Sequence, residues 1–555
     1  MLGLLPLSAG AATFSLEEAT IADINTAFDT GVLTSQQLTQ LYLNRIEDYD
    51  KQGPSLNSII TINPNALQVA AELDKERQLT GPRSPLHGVP IIVKDNFDTF
   101  DLPTTGASLA LENSIPPNDA FVVNQLRDAG AVIVAKSNLT EFALGGNTIS
   151  SLGGQTLNPY DLGRTPGGSS GGTGAAIAAN FGAIGTGSDT GQSVRSPASA
   201  NSLVGFRPTI GLISRDGIIP ISFTQDTAGP ITRSVADTAT MLDVMAGFDP
   251  ADPATASSVG KIPDSYTNSL NPQGLQGARI GAVLNLFGSA AVHEEVNSVI
   301  NAELGKMESL GATVIPVSIP NFTELTANLS VTTYELKETL NDYLASLGPN
   351  APMKTLEELI ASEQYDPSIA ASLVEAQALE SPLEDPEYAR RIQQRAVFQE
   401  SLLALMDEYQ LDALVYPHQQ RLVVPIGQPQ VDRNGILAWG TGFPAIIVPG
   451  GFSSTSESAP IGVPIGIEFF GRPFSEQTLI ELAYAYEQAT MNRLPPVSTP
   501  PLPGETLEYE LVPEPSSLLG IFAFSAFSAV CVAQRKQQKK AVNLNKKFTS
   551  IQTKA

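Results

Sequence analysis

Short apolar runs bounded by glycine or proline alternate with stretches of helical spacing along most of the chain. Residues 89–93, 131–135, 183–185, 279–284, 411–415, 445–448 and 464–469 each read as a buried strand. An uninterrupted apolar run of that length between turn residues suits a strand covered on both faces. Ser15-Leu16-Glu17-Glu18 matches a capping box, a hydroxyl three residues ahead of a carboxylate, and predicts a helix opening there. Ser35 predicts a second helix to about residue 49, and 65–79 carries apolar positions spaced by three and four. Helix-like segments separate most of the strands. The pattern predicts an α/β fold, one large domain over 13–495 with a mixed β-sheet covered by helices on both faces. Residues 321–395, rich in Glu, Leu and Ala without strand-like runs, read as a helical excursion walling one side of a pocket. A proline-rich stretch from Pro495 closes the body and begins a linker over 496–512.

Composition narrows the function classes. The 555 residues carry a formal net charge of −25, and the seven basic residues from Arg535 onward leave −32 for everything before them. An acidic body of this kind repels phosphates, which disfavours a nucleic-acid partner. Cys531 is the one cysteine, so no intrachain disulfide and no cysteine metal cluster can form. With only His87, His293 and His418, a histidine-rich zinc site is not expected, and no metal or cofactor is called for.

The two ends read as addresses. Residues 2–7 are apolar and Ala9-Gly10-Ala11 fits a small-residue cleavage site, so 1–12 reads as the end of a signal peptide whose charged start lies upstream. Near the other end, Pro513-Glu514-Pro515 precedes an apolar run over 518–533 that is followed by basic residues. The run is short for a membrane span, and the basic flank predicts a cytoplasmic tail with the body outside. Segment 513–540, followed by a basic tail over 541–555, resembles a PEP-CTERM sorting signal. That resemblance implies a cell-envelope address and contact with a membrane or an exosortase through the tail.

The chemistry gathers around RTPGGSSGGTGAA, residues 164–176. A phosphate loop needs a lysine that Gly167 through Gly174 does not offer, and Gly185-Thr186-Gly187 reaches its third glycine one residue late for a dinucleotide fingerprint. Gly167-Gly168-Ser169-Ser170-Gly171 does satisfy G-x-S-x-G, the nucleophile elbow, with His293 or His418 as partner. An elbow follows a strand, however, and LNPYDLGRTP ahead of it is loop-like. Upstream, HGVPIIVKDNFD sets Lys94 at the end of an apolar strand, where desolvation favours the neutral amine, a competent general base. Downstream, GTGSDTGQSVRSPAS puts Ser193 after Thr190-Gly191-Gln192, a tight turn whose backbone N–H groups can converge on one oxygen.

These three segments, with FRPTIGLISRDGIIP, DTAGPITRSVAD and FPAIIVPGGF, resemble the amidase signature family over nearly the whole body. The resemblance implies a large α/β/α fold and hydrolysis of the C–N bond of small or peptide amides. In it Ser193 is the nucleophile, Ser169 the proton-relaying bridge in a cis peptide, and Lys94 the base. Thr190, Gly191 and Gln192 would form the oxyanion hole. Ser170, Asp189 and Arg195 would support the site, the last two as an ion pair shaping the turn. Many relatives carry a second glycine where this chain has Gln192, whose side chain is expected to narrow the acyl pocket. His87 reads as structural, Asp226 as an orienter of the nucleophile loop, and Tyr416, His418 and Trp439 as either pocket or packing residues. Two other functions stay open: a glutaminase-type component of a tRNA-dependent amidotransferase, and a catalytically silent envelope protein. The sequence leaves the oligomeric state unread.

Overall fold

The computed structural model describes residues 11–349 and 351–510. The apolar start, the sorting-signal segment with its apolar run and Cys531, and the basic tail therefore lie outside the described residues. Among the described residues no helix is long and apolar enough to cross a membrane.

Ser15–Glu505 forms one unit, organised by an eleven-stranded sheet. Its strands in chain order are β1 (Ile59–Ile62), β2 (Pro90–Lys94), β3 (Val132–Ser137), β4 (Ile184–Ser188), β5 (Val204–Arg207) and β6 (Ala228–Thr232). They continue as β7 (Arg279–Val283), β8 (Thr313–Val317), β9 (Ala413–Pro417), β10 (Ala445–Phe452) and β11 (Pro464–Phe470). Across the sheet they run β8-β7-β9-β11-β10-β5-β6-β4-β2-β3-β1. Strand β2 runs parallel to its two neighbours β3 and β4, β7 runs parallel to its two neighbours β8 and β9, and the strands between these groups pair antiparallel. The sheet is mixed, and all seven expected strands are in it. The four unexpected ones are β1, β5, β6 and β8. They are short or interrupted by glycine and proline, as in AGPIT of β6, so no apolar run announces them. Every residue of β2, β3 and β4 is buried, which accounts for the apolar runs that open β2 and β3, while their polar residues Lys94, Lys136 and Ser137 sit at the C-terminal ends.

The first helix departs from expectation. It spans Ile21–Asp29, with Thr20 as its cap and Asp23 closing the capping box. Glu18 cannot close a box with Ser15, because its carboxylate is held by Arg493 and its backbone sits at φ 63°. A partner far along the chain outcompetes the local pattern. The second helix, Ser35–Arg45, is capped by Thr34 and continues as a π-helical turn over Ile46–Lys51. The third runs over Ala66–Thr80.

Residues 321–395 are helical, with Thr332–Ser346, Leu356–Ser362 and Ala370–Ala378 as principal pieces. They bury Leu336, Leu340, Leu344 and Leu373 against Phe142, Ile219 and Ile221, loop residues on the catalytic side. A second unit, residues up to Phe14 and from Thr506 onward, contains the pairing of Ala11–Ser15 with Thr506–Glu510. Part of the stretch read as a linker, Thr506–Glu510, is thus a strand hydrogen-bonded to Ala11–Ser15.

Candidate active site

Three segments, a strand end and two turns, meet at the C-terminal ends of β2 and β4. The first is β2 itself, which carries Lys94 into the interior with no exposure to solvent. The Lys94 Nζ lies 2.8 Å from the Oγ of Ser169 and 2.8 Å from the Oγ of Ser188. Asn96 donates to the same Ser188 hydroxyl at 3.0 Å. Burial pushes the Lys94 pKa down to about 7, against the opposing pull of Asp189 and Asp226. The amine is therefore neutral in a large share of molecules near neutral pH.

The second segment is the glycine-serine loop. The Gly168–Ser169 peptide is cis, and the Ser169 carbonyl accepts the backbone N–H of Thr140 at 3.0 Å. Glycine is required here by close approach. A Cβ on Gly168 would stand 2.7 Å from the Gly146 carbonyl carbon, and one on Gly172 would collide with the Asn138 carbonyl oxygen. The loop then opens the helix Gly171–Ala178, which is buried throughout. Ser169 meets a lysine and no histidine. His87 bonds the Leu73 carbonyl, His293 faces Asp432, and His418 sits on Glu468, so none of the three serves an elbow.

The third segment, a turn, carries Ser193. Among the described residues, the backbone N–H groups of Thr190, Gly191, Gln192 and Ser193 donate to no protein acceptor. Four free donors in succession beside a serine can surround one oxygen, and the fourth, on Ser193 itself, was not anticipated from the motif. The Ser170 N–H donates to the Ser193 carbonyl at 3.2 Å and ties the two serine loops together. The Oγ of Ser193 makes no hydrogen bond among the described residues and opens on the cleft. Such contacts are often loose before substrate arrives.

Buried ion pairs hold this turn. Asp189 accepts the Val194 N–H at 3.1 Å and pairs with Arg195 Nε at 3.2 Å and Arg207 Nη1 at 2.8 Å. Burial alone would raise its pKa, but the two guanidinium groups outweigh it and hold the carboxyl well below the usual carboxylate range. Arg195 also donates to the Gly191 carbonyl and pairs with Glu468, which Tyr416 and His418 reach from the far side. Tyr416 and His418 therefore support the turn at second hand and do not face the cleft. Asp226 takes the Thr190 hydroxyl on one oxygen and the Ile221 and Ser222 N–H groups on the other.

The resulting cleft has a volume of about 370 Å³. Ser193 and its donor turn form one wall, Ser330, Thr332 and Ser372 of the helical excursion another, and Trp439 and Arg433 a third. Gln192 lies over Gly435, whose missing Cβ leaves the room: a Cβ there would collide with Gln192 Cγ. The Gln192 side chain thus packs over Gly435 and lines the cleft beside Ser193. Sequence reasoning missed Ser188, Asn96 and Arg433. Ser188 was within reach, since it sits one residue before the acidic position of the nucleophile turn, at the end of the strand beside β2.

The chain is similar to known amidases over most of its length. A family model described as Amidase matches residues 37–480. A probable amidase of Arabidopsis thaliana is 38% identical over 506 residues, covering 87% of this chain and 92% of the relative. The solved native peptide amidase of Stenotrophomonas maltophilia is 40% identical with a TM-score of 0.78, covering 86% of this chain and 98% of that one. A glutamyl-tRNA(Gln) amidotransferase subunit from Moorella thermoacetica is 35% identical over 473 residues, covering 82% of this chain and 94% of the relative.

Proposed function

The chain belongs to the amidase family and is an amide-hydrolysing enzyme; on that premise we propose that it cleaves the terminal carboxamide of peptide amides through an acyl-enzyme on Ser193. The observation that carries the reading is the buried Lys94 amine 2.8 Å from Ser169, with its pKa lowered to about 7. In the proposed sequence, the Ser193 hydroxyl proton passes to Ser169 Oγ while the Ser169 proton passes to neutral Lys94. Ser193 Oγ bonds to the carboxamide carbon, and the carbonyl π electrons move onto oxygen. The free N–H groups of residues 190–193 stabilise that oxyanion. Collapse breaks the C–N bond, the proton returns through Ser169 to the nitrogen, and ammonia leaves. Water repeats the same relay on the ester and releases the carboxylate.

The likeness to a native peptide amidase supports the peptide-amide substrate. The cleft supports it too, since its volume of about 370 Å³ beside Ser193 leaves room for acyl substituents beyond the scissile carbonyl. The likeness to glutamyl-tRNA(Gln) amidotransferase subunits favours a second reading, release of ammonia from glutamine for a partner, but the strongly acidic chain suits a tRNA-handling assembly poorly. The apolar run 518–533 with its basic flank, outside the described residues, supports an enzyme held at the cell envelope with its body outside.

One experiment tests the reading. The purified protein is offered C-terminal peptide amides and free glutamine, ammonia is measured, and a fluorophosphonate-labelled sample is mapped. Ammonia from the peptide amides with the adduct on Ser193 is expected. Turnover of glutamine alone, or an adduct on Ser169, overturns it.

A further inference from the structure

Arg433 is the only charged side chain lining the cleft among the described residues. It has no ion-pair or hydrogen-bond partner for its guanidinium among them. The adjacent carboxylate, Asp432, is taken by Arg421 at 3.2 Å and His293 at 3.3 Å. Burial pushes the Arg433 pKa down, and distant Asp189 offsets this only in part. An arginine nevertheless stays protonated in a protein. A partly buried guanidinium without a counter-charge is costly to keep, so its lack of a partner is informative.

The backbone delivers this side chain deliberately. Asp432 turns at φ 56°, the Asn434 N–H donates to the His418 carbonyl at 2.9 Å, and the Asn434 amide holds the Leu286 and Pro417 carbonyls at 2.7 and 2.6 Å. Opposite, Gly146 clears the space: a Cβ there would stand 2.5 Å from Arg433 Nη1. Any larger residue at 146 would displace the guanidinium from the cleft wall.

We infer that Arg433 is a substrate-recognition residue that binds a carboxylate on the acyl group of the amide being hydrolysed. A guanidinium presents paired N–H donors whose spacing matches the two oxygens of a carboxylate. The cleft offers no carboxylate of its own to compete. The inference rests on acyl transfer at Ser193 and adds to it the class of acyl group: one that ends in, or carries as a side chain, a negative charge.

The test uses straight-chain monoamides of dicarboxylic acids of increasing length, each paired with the uncharged aliphatic amide of the same length. The readout is the ratio of kcat/KM, acid over neutral amide. A bidentate charged contact predicts a ratio on the order of ten- to a hundredfold at the length that spans Ser193 to Arg433. Arg433→Met should bring the ratio to about one, chiefly through KM, and Arg433→Lys should keep part of it. Glutarate should also inhibit neutral-amide hydrolysis by the wild-type protein competitively, an arm that needs no variant to fold. A ratio near one at every length in the wild type, or a ratio that survives Arg433→Met, overturns the inference while leaving the amidase reading intact. If Ser193 takes no fluorophosphonate and no amide turns over, both fall together.

Discussion

The Nζ of Lys94 and the Oγ of Ser188 lie 2.8 Å apart at the ends of two neighbouring parallel strands. Ser188 already accepts a hydrogen bond from Asn96, so its oxygen is well placed to take a lysine N–H as well. With its hydrogens drawn toward Ser188, a neutral Lys94 amine turns its lone pair toward Ser169. Ser188→Ala should therefore lower kcat by about tenfold with little change in KM, since a general base contributes on the order of a hundredfold or more when well aligned. An equal loss through KM alone would mean that Ser188 serves binding.

The lowered Lys94 pKa gives a signed pH dependence. The base acts when neutral, so kcat/KM should rise with pH along one limb centred near 7. That apparent value belongs to the coupled Lys94–Ser169–Ser193 site. Lys94→Met should remove the limb and cut kcat by orders of magnitude. The histidine variants His87→Ala, His293→Ala and His418→Ala should each keep it. Rate profiles for the five proteins decide the matter, and a histidine variant lacking the limb would replace the lysine as base.

The same shift bears on stability. Between about pH 7 and the usual lysine value, the unfolded chain holds a proton on Lys94 that the folded protein has shed. Stability rises with pH wherever the unfolded state binds more protons. Wild-type protein should accordingly gain stability relative to Lys94→Met as pH rises from 7 toward 10, read from denaturant midpoints at each pH. A flat difference across that window would show that burial does not set the lysine's charge.

Asp189 is expected to be a structural keystone of the nucleophile turn. Asp189→Asn keeps the shape but leaves Arg195 and Arg207 without their shared carboxylate. Breaking a buried pair in this way costs about 3–5 kcal/mol, which urea unfolding would register, and kcat should fall as the turn loosens. Because the folded carboxyl titrates below the usual range, its contribution is present at neutral pH and is lost only in acid.

Gln192 and Gly435 should behave as a pair. Gly435→Ala puts a Cβ against Gln192 Cγ, driving the side chain into the cleft and raising KM for bulky acyl groups. Gln192→Gly in the same protein should restore KM. A double-mutant cycle measures this coupling, and additive effects would show that the two do not communicate.

Much of the fold was legible because β2, β3 and most of the later strands are buried on both faces, and such strands carry mostly apolar runs. The meeting of Lys94 with the glycine-serine loop was legible for a related reason. Close approach at Gly168 and Gly172 demands glycine locally, and a lysine ending an apolar strand has nowhere hydrated to go. Other features depended on partners far away in sequence. Glu18 left its apparent capping box for Arg493, β5 and β6 gained strand character only by pairing across the sheet, and Ser188 became Lys94's partner only through the register of β2 with β4. The lone Arg433 belongs to this second kind, because whether a charge is paired depends on what the fold brings within a few ångströms, and spacing along the chain does not carry that information.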